Sequence, residues 1–205
     1  MPGFGSDRDN KTSEMKSKGI SLDCLSRYYD LITPADRSRF RRHQIRLLNP
    51  GEGESVLEVG CGTGALSLLS KMIVGEKGVV EGIDIAPKMI AKARKKAEKA
   101  KLCINFRVAS IDDLPYRDGV FDAVISSMMF HHLPLTVKGR GLEEVYRVLK
   151  TGGRFLLCDF CSPHPLVLPI AYMMFIWTSS TRYQLFGRLP ALFQTSRFRG
   201  AKLVQ

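Results

Sequence analysis

Three glycines at alternate positions, Gly60, Gly62 and Gly64, have the spacing of a ligand-binding turn. They follow an apolar run at residues 55–59 and precede residues 64–73, whose apolar positions have helical spacing. Glycine allows positive φ and a close approach of a ligand to the main chain. The helix that follows presents unpaired N–H groups in its first turn. This arrangement predicts a nucleotide-binding turn at the carboxyl end of a buried strand.

Two carboxylates bear on which nucleotide suits this turn. Gly60, Gly62 and Ala65 fit the G-x-G-x-x-A dinucleotide fingerprint, so the glycines leave NAD and S-adenosylmethionine both open. Asp84, at the end of the second predicted strand, could bind ribose hydroxyls in either site. Glu58 precedes the first glycine by two residues and would repel a pyrophosphate, but it could hold the ammonium group of an amino-acid-bearing nucleotide. Glu58 therefore favours S-adenosylmethionine.

Strand-like and helix-like segments alternate around these residues. Strands are predicted at residues 55–59, 79–83, 104–108, 121–126 and 154–158, and helices at residues 64–73, 87–101 and 142–149. A turn at Thr151-Gly152-Gly153 is predicted to separate the last helix from the fifth strand, and residues 197–204 predict one more strand. The alternation predicts an α/β fold, a Rossmann-like open and mostly parallel sheet with helices on both faces.

The length of 205 residues predicts one domain. Residues 1–20 are polar and predict a disordered tail, and residues 21–205 predict a single domain. Its core is expected at residues 54–159, with lid or substrate elements at residues 21–50 and 160–205. Five scattered cysteines and no signal-peptide pattern predict a cytoplasmic protein with reduced thiols.

The formal net charge of +11 indicates anionic partners. The basic run within residues 87–101 is interpreted as a solvated helix face rather than a nucleic-acid surface, because no aromatic residues are interleaved. An apolar segment at residues 166–177 beside later arginines predicts either a core helix or peripheral contact with an anionic membrane. Cys158 and Cys161 form one C-x-x-C pair, which cannot complete a tetrahedral zinc site, so no metal is predicted.

Four ordered motifs resemble the class I S-adenosylmethionine-dependent methyltransferases, and within them the ubiquinone/menaquinone biosynthesis branch. They are VLEVGCGTG, VVEGIDIAPKMI, DDLPYRDGVFDAVISSMMFHHL and EEVYRVLKTGGRFLLCDF. The resemblance implies S-adenosyl-L-methionine as cofactor, S-adenosyl-L-homocysteine as product, and a small hydrophobic acceptor, quinone-like or lipid. The family's sheet ends in a strand hairpin that residues 160–205 fill only in part, so a shortened hairpin is expected. A missing edge strand would favour a homodimer.

Carried over by position, the resemblance also implies individual roles. Glu58, Gly60 and Gly62 would surround the methionine moiety, Asp84 would bind both ribose hydroxyls, and Ile85 would lie against the adenine. The predicted cofactor-binding set is completed by Cys61, Gly64, Met89, Ser110, Ile111, Asp112 and Ser127. The family usually has Gly-Asp where this chain has Ala109-Ser110. Either Ser110 accepts the adenine amino hydrogen bond in place of that aspartate, or Asp112 substitutes.

The resemblance places a histidine pair, His131 and His132, near the transferred methyl group. His132 is the first candidate for a general base and His131 the second, with Tyr28, Tyr29 or Asp159 as orienting groups. Two other functions stay open from the sequence. One is a non-catalytic S-adenosylmethionine-binding or regulatory protein, and the other is an NAD-dependent oxidoreductase.

Overall fold

Helices and strands alternate along the chain in the computed structural model, which describes residues 35–159, 192–194 and 196–202. The helices are α1 (Ala35–Leu48), α2 (Ala65–Val74), α3 (Pro87–Lys99) and α4 (Leu135–Val148), and a 3₁₀ turn spans Phe130–His132. The strands are β1 (Ser55–Val59), β2 (Val79–Asp84), β3 (Asn105–Val108), β4 (Phe121–Ser127) and β5 (Leu149–Cys158). The predicted N-terminal tail, the apolar segment at residues 166–177, Tyr28, Tyr29 and Cys161 lie outside the described residues.

The five strands form one parallel sheet in the order β3-β2-β1-β4-β5. The chain moves outward from β1 to β3 on one side and then crosses to β4 on the other side of β1. The carboxyl ends of β1 and β4 therefore flank the topological switch point, where open α/β sheets bind ligands. The predicted α/β, Rossmann-like parallel sheet is confirmed. No helix among the described residues is long and apolar enough to cross a membrane.

Helices cover both faces of the sheet, as the sequence predicts. Successive side chains of a strand point to opposite faces. Leu57 and Val59 accordingly join the core beneath α4, whereas Val56 joins the core beneath α1 and α2. Because of the same alternation, the side chain of Glu58 belongs to the face that α1 and α2 cover.

Helix α4 begins at Leu135, seven residues before its predicted start. Gly139 and Gly141 lower the helix propensity of this stretch. In the structure, a Cβ on Gly141 would lie 2.9 Å from Cγ1 of Ile111. The glycine thus lets the helix pack closely on the segment after β3, and this tertiary contact outweighs the weak local propensity.

The predicted turn at Thr151-Gly152-Gly153 is wrong, because β5 already begins at Leu149 and runs through these residues. The register shifts from Phe121↔Leu149 to Ala123↔Arg154, so β5 carries extra residues in a bulge. Gly152 lies within it with a φ of 79°. Glycine was a correct indication of irregular backbone, but the irregularity lies inside the strand.

The last predicted strand, at residues 197–204, is also wrong for its described part, since residues 196–202 do not form a strand. Phe198 instead packs edge-on against Tyr146, with ring centroids 5.5 Å apart, and beside Phe155 at the same distance. Contact of the aromatic rings with α4 and β5 explains the apolar character of this segment without strand pairing.

The tight packing of Gly64 leads to a stability prediction. Gly64 has a φ of 77°, and a Cβ there would lie 2.8 Å from Cζ of Phe106. Gly62 has a φ of 52°, with no atom within 4 Å of its Cβ position. We expect Gly64→Ala to lower the free energy of unfolding by about 3 kcal/mol and Gly62→Ala by about 1 kcal/mol. Urea denaturation measures both, and equal losses would show that backbone strain alone matters.

Candidate functional site

A cleft of about 780 Å³, including its open mouth, lies beyond the carboxyl ends of the central strands. The lining comes from the ends of β1, β2 and β4 and from the segments that follow β1, β2, β3 and β4. Its residues are Val59, Gly60, Gly62, Ile83, Asp84, Ile85, Ala86, Met89, Ala109, Ser110, Ile111, Ser127, Met128, Met129, His132 and Leu133.

The structure brings most of the predicted site residues together here. Those that line the cleft are Gly60, Gly62, Asp84, Ile85, Met89, Ser110, Ile111, Ser127 and His132. Glu58, Cys61, Gly64, Asp112 and His131 are not among the lining residues. The roles of all these residues toward a cofactor or acceptor stay predictions.

Met129 is a cleft residue that sequence reasoning missed. A Cβ on Gly60 would lie 2.4 Å from Cγ of Met129, so the absence of a side chain at Gly60 makes room for this methionine. Met128 also lines the cleft and has a φ of 55°, in the left-handed region that methionine rarely adopts. The only sequence indication was their position directly after β4, at the switch point of the sheet.

Asp84 occupies the anion-binding position of the glycine turn. Its Oδ2 accepts a hydrogen bond of 2.8 Å from the N–H of Gly62, and its Oδ1 accepts one of 2.9 Å from Ala86. The N–H groups of Gly60 and Cys61 both donate to the carbonyl of Ile83 at 2.8 Å. Dinucleotide sites use such N–H groups to bind a pyrophosphate. In this protein those N–H groups already donate to the Ile83 carbonyl and to the Asp84 carboxylate, which disfavours binding of a dinucleotide.

Glu58 lies behind the turn at the N-terminus of α2. It is 4% exposed and accepts hydrogen bonds from both the N–H of Ser67, at 2.7 Å, and the Ser67 hydroxyl. Ser67 lies in the first turn of the helix, so the carboxylate satisfies an N–H that has no intrahelical partner. Burial raises the pKa of Glu58 to about 7, against the opposing effects of Ser67 and the positive charge of Arg41.

Ser110 and Asp112, alternatives in the sequence, act as a pair in the structure. The Ser110 hydroxyl donates a hydrogen bond to Oδ1 of Asp112. Ser110 lines the cleft and Asp112 does not. Because its proton is directed to Asp112, the Ser110 oxygen presents acceptor capacity toward the cleft.

The 3₁₀ turn after β4 gives its two histidines different surroundings. Nδ1 of His131 lies 2.7 Å from Oδ1 of Asp159, and the His131 N–H donates to Oδ2 at 3.0 Å. His132 lines the cleft, with its ring centroid 3.8 Å from that of His131. Burial lowers the pKa of His132 to about 4, and the neighbouring His131 adds to this effect, whereas Asp159 opposes it. Asp159 therefore orients His131, the neighbour of His132 in this turn.

Comparison with known proteins finds sequence similarity to methyltransferases. Residues 56–153 match the family described as "Methyltransferase domain". A demethylmenaquinone methyltransferase from Thermus thermophilus is 36% identical over 137 residues, which are 67% of this chain and 61% of that protein. A ubiquinone/menaquinone biosynthesis C-methyltransferase from Haemophilus ducreyi is 34% identical over 136 residues, covering 65% of this chain and 52% of that protein.

A solved structure shares the architecture. The crystal structure of a SAM dependent methyltransferase from Aquifex aeolicus superposes with a TM-score of 0.59 and 25% identity, covering 74% of this chain and 85% of that one. By contrast, this chain spans less than two thirds of the length of the two curated relatives.

The buried Glu58 predicts a pH-dependent stability. The folded protein, in which the pKa is about 7, retains a proton that the unfolded chain releases near pH 4.5. Stability therefore falls as the pH rises from 4.5 to 7, by up to about 3 kcal/mol. We expect Glu58→Gln to flatten this part of the profile and to stabilise the ligand-free protein at pH 8. Urea unfolding from pH 4.5 to pH 8 measures it, and superimposable profiles would refute the role of this carboxyl.

Proposed function

The chain belongs to the class I S-adenosylmethionine-dependent methyltransferase family, and we propose that it transfers a methyl group to a small, quinone-like, lipid-soluble acceptor. The identity of the methyl donor is inferred chiefly from the carboxylate of Asp84, which is bound to the glycine turn and lines the cleft. The acceptor class is supported by the names of the Thermus and Haemophilus relatives.

The residues of the cleft fit S-adenosylmethionine. Both oxygens of Asp84 accept hydrogen bonds from backbone N–H groups, and a carboxylate oxygen can accept more than one hydrogen bond, so Asp84 suits ribose hydroxyls. Ile85 and Met89 supply apolar surface beside it, and Ser110 offers an acceptor suited to an exocyclic amino group. At Gly62 the Cβ position is open, so the main chain there stays accessible from the cleft. When bound, the cofactor supplies an already activated methyl group.

The protein's own contribution to the transfer is mainly alignment and exclusion of water. His132 faces the cleft and is neutral at pH 7 because its pKa is about 4. It can accept a proton from the acceptor, and because its pKa is low we expect a contribution at the lower end of the usual range for a general base, about 100-fold. Asp159 fixes the turn through the backbone and ring of His131, so that His132 keeps its place in the cleft.

A second candidate function, binding of the cofactor without methyl transfer, is favoured by the low pKa of His132. A weak base beside the cleft would matter little to a protein that only senses or sequesters the cofactor. Turnover measurements separate this candidate from the first.

Cofactor binding provides the first test. Asp84→Asn removes the charge and changes an acceptor to a donor, so we expect S-adenosylhomocysteine affinity to fall by about 100-fold, the upper end for a charged hydrogen bond. Ser110→Ala removes one neutral acceptor and should lower it by about 5-fold. Isothermal titration calorimetry measures both variants. A larger loss for Ser110→Ala than for Asp84→Asn would contradict the assignment.

Methyl transfer provides the second test. The substrates are S-adenosylmethionine and a reduced short-chain naphthoquinone that lacks the ring methyl group, and the readout is S-adenosylhomocysteine formation. We expect His132→Ala to lower kcat by about 100-fold while S-adenosylhomocysteine affinity is retained.

His43→Ala serves as the matched control, because His43 is exposed on α1 and does not line the cleft. Its kcat should equal that of the unaltered protein. Tight S-adenosylhomocysteine binding with no turnover of any quinol would favour the non-catalytic candidate and overturn the proposed transfer.

A further inference from the structure

The solvent-exposed side of α1 carries cationic and apolar side chains together. Arg39, Arg42 and Arg46 are exposed and are spaced by three and four residues, so they form one row along the helix. Phe40 and Leu47, which are 44% and 39% exposed, lie seven residues apart and form a second row on the same exposed side. These five residues are the outer face of α1.

The positive charge of the outer face is not neutralised by the protein itself. None of the exposed side chains described on α1 is acidic. Within the described part of the chain, none of the three arginines of the outer face forms an ion pair. A row of cations without neighbouring anions attracts an anionic partner, and the net charge of +11 adds to this attraction.

A second basic helix shows what distinguishes the outer face of α1. Helix α3 exposes Lys88, Lys95 and Lys99, but its large apolar side chains, Met89 and Ile90, are buried. Only α1 therefore combines exposed cations with exposed large apolar side chains, which is the composition of a helix that lies at a membrane surface. A nucleic acid also offers phosphates to the cations, but it has no apolar layer that would take up a leucine.

Hydrogen bonds fix α1 on the sheet and set its direction. Nε2 of Gln44 donates to the hydroxyl of Ser127, the last residue of β4, at 2.8 Å. Nε of Arg154 donates to the carbonyl of Leu48 at 2.6 Å, and Arg154 pairs with Ala123 near the start of β4. The amino-terminal part of α1 therefore lies toward the cleft end of the sheet, since Ser127 lines the cleft.

We propose that the outer face of α1 docks the protein on an anionic lipid bilayer. The arginines contact the headgroup phosphates, while Phe40 and Leu47 enter the boundary between headgroups and acyl chains. Because α1 is fixed to the sheet, docking brings the cleft end of the sheet near the layer in which a lipid-soluble acceptor dissolves. Only this benefit rests on the proposed function; the docking itself does not.

Vesicle sedimentation with the full chain tests the proposal. The vesicles are phosphatidylcholine alone, or phosphatidylcholine with about one third phosphatidylglycerol, and we expect binding only to the anionic vesicles. An arginine near such a surface strengthens binding by about 5-fold. The triple variant Arg39→Gln, Arg42→Gln, Arg46→Gln should therefore bind about 100-fold more weakly.

A matched control removes the same charge from the other basic helix. The triple variant Lys88→Gln, Lys95→Gln, Lys99→Gln should weaken vesicle binding by less than about 3-fold, because α3 stays in solvent.

A second variant of α1 keeps every charge. Phe40→Gln with Leu47→Gln should weaken vesicle binding by about 10-fold, because less apolar surface enters the boundary layer. This variant also decides the outcome if the triple arginine variant does not fold, which circular dichroism reports.

The possible failures are separable. Equal losses for the α1 and α3 triple variants would show attraction by net charge alone and overturn the docking face. Unchanged vesicle binding by both α1 variants, or no vesicle binding by the unaltered protein, would also overturn it. Binding of an RNA oligomer in place of anionic vesicles would assign the face to nucleic acid and overturn the proposal. Failure of the proposed function appears elsewhere, as absent turnover of a short-chain quinol in solution without vesicles.

Discussion

The hydrogen bonds between the buried Glu58 carboxylate and Ser67 are the interaction on which the ligand-binding end of the sheet depends. They join the end of β1 to the first turn of α2 across the glycine turn. Asp84 adds a second carboxylate from the end of β2, bound to Gly62. Two carboxyl groups from adjacent strands, Asp84 in the cleft and Glu58 behind the turn, thus accept from N–H groups of the kind that a phosphate-binding turn offers its ligand. This arrangement disfavours a dinucleotide at this turn.

The same interaction is costly for the ligand-free protein. A carboxylate that is 4% exposed loses most of its hydration, which is why its pKa rises to about 7. The buried Oε1 of Gln44, which has no hydrogen-bond partner among the described residues, and the positive φ of Met128 are further unfavourable features at the same end of the sheet. All three features lie near the carboxyl ends of β1 and β4, beside the cleft.

The cleft divides into two parts of different origin. The part around Asp84 is made by β1, β2 and the segments that follow them, all within the stretch that matches the methyltransferase family. The part around His132 depends on a 3₁₀ turn held by Asp159 and on α1, which packs from outside that stretch. The two parts of the cleft thus depend on different regions of the chain.

The sequence by itself determined the parts of the protein that depend on short-range periodicity. Strand β1 and its glycine turn could be predicted because apolar alternation and glycine spacing act locally, and Glu58 and Asp84 followed from their positions at strand ends. The bulge in β5, the early start of α4 and the two positions of the histidines were decided by tertiary contacts. The hydrogen bond between Gln44 and Ser127, which are 83 residues apart, was also decided by the tertiary structure. Such contacts depend on which faces meet after the sheet has formed. A local sequence pattern does not specify contacts between residues that are far apart in the chain.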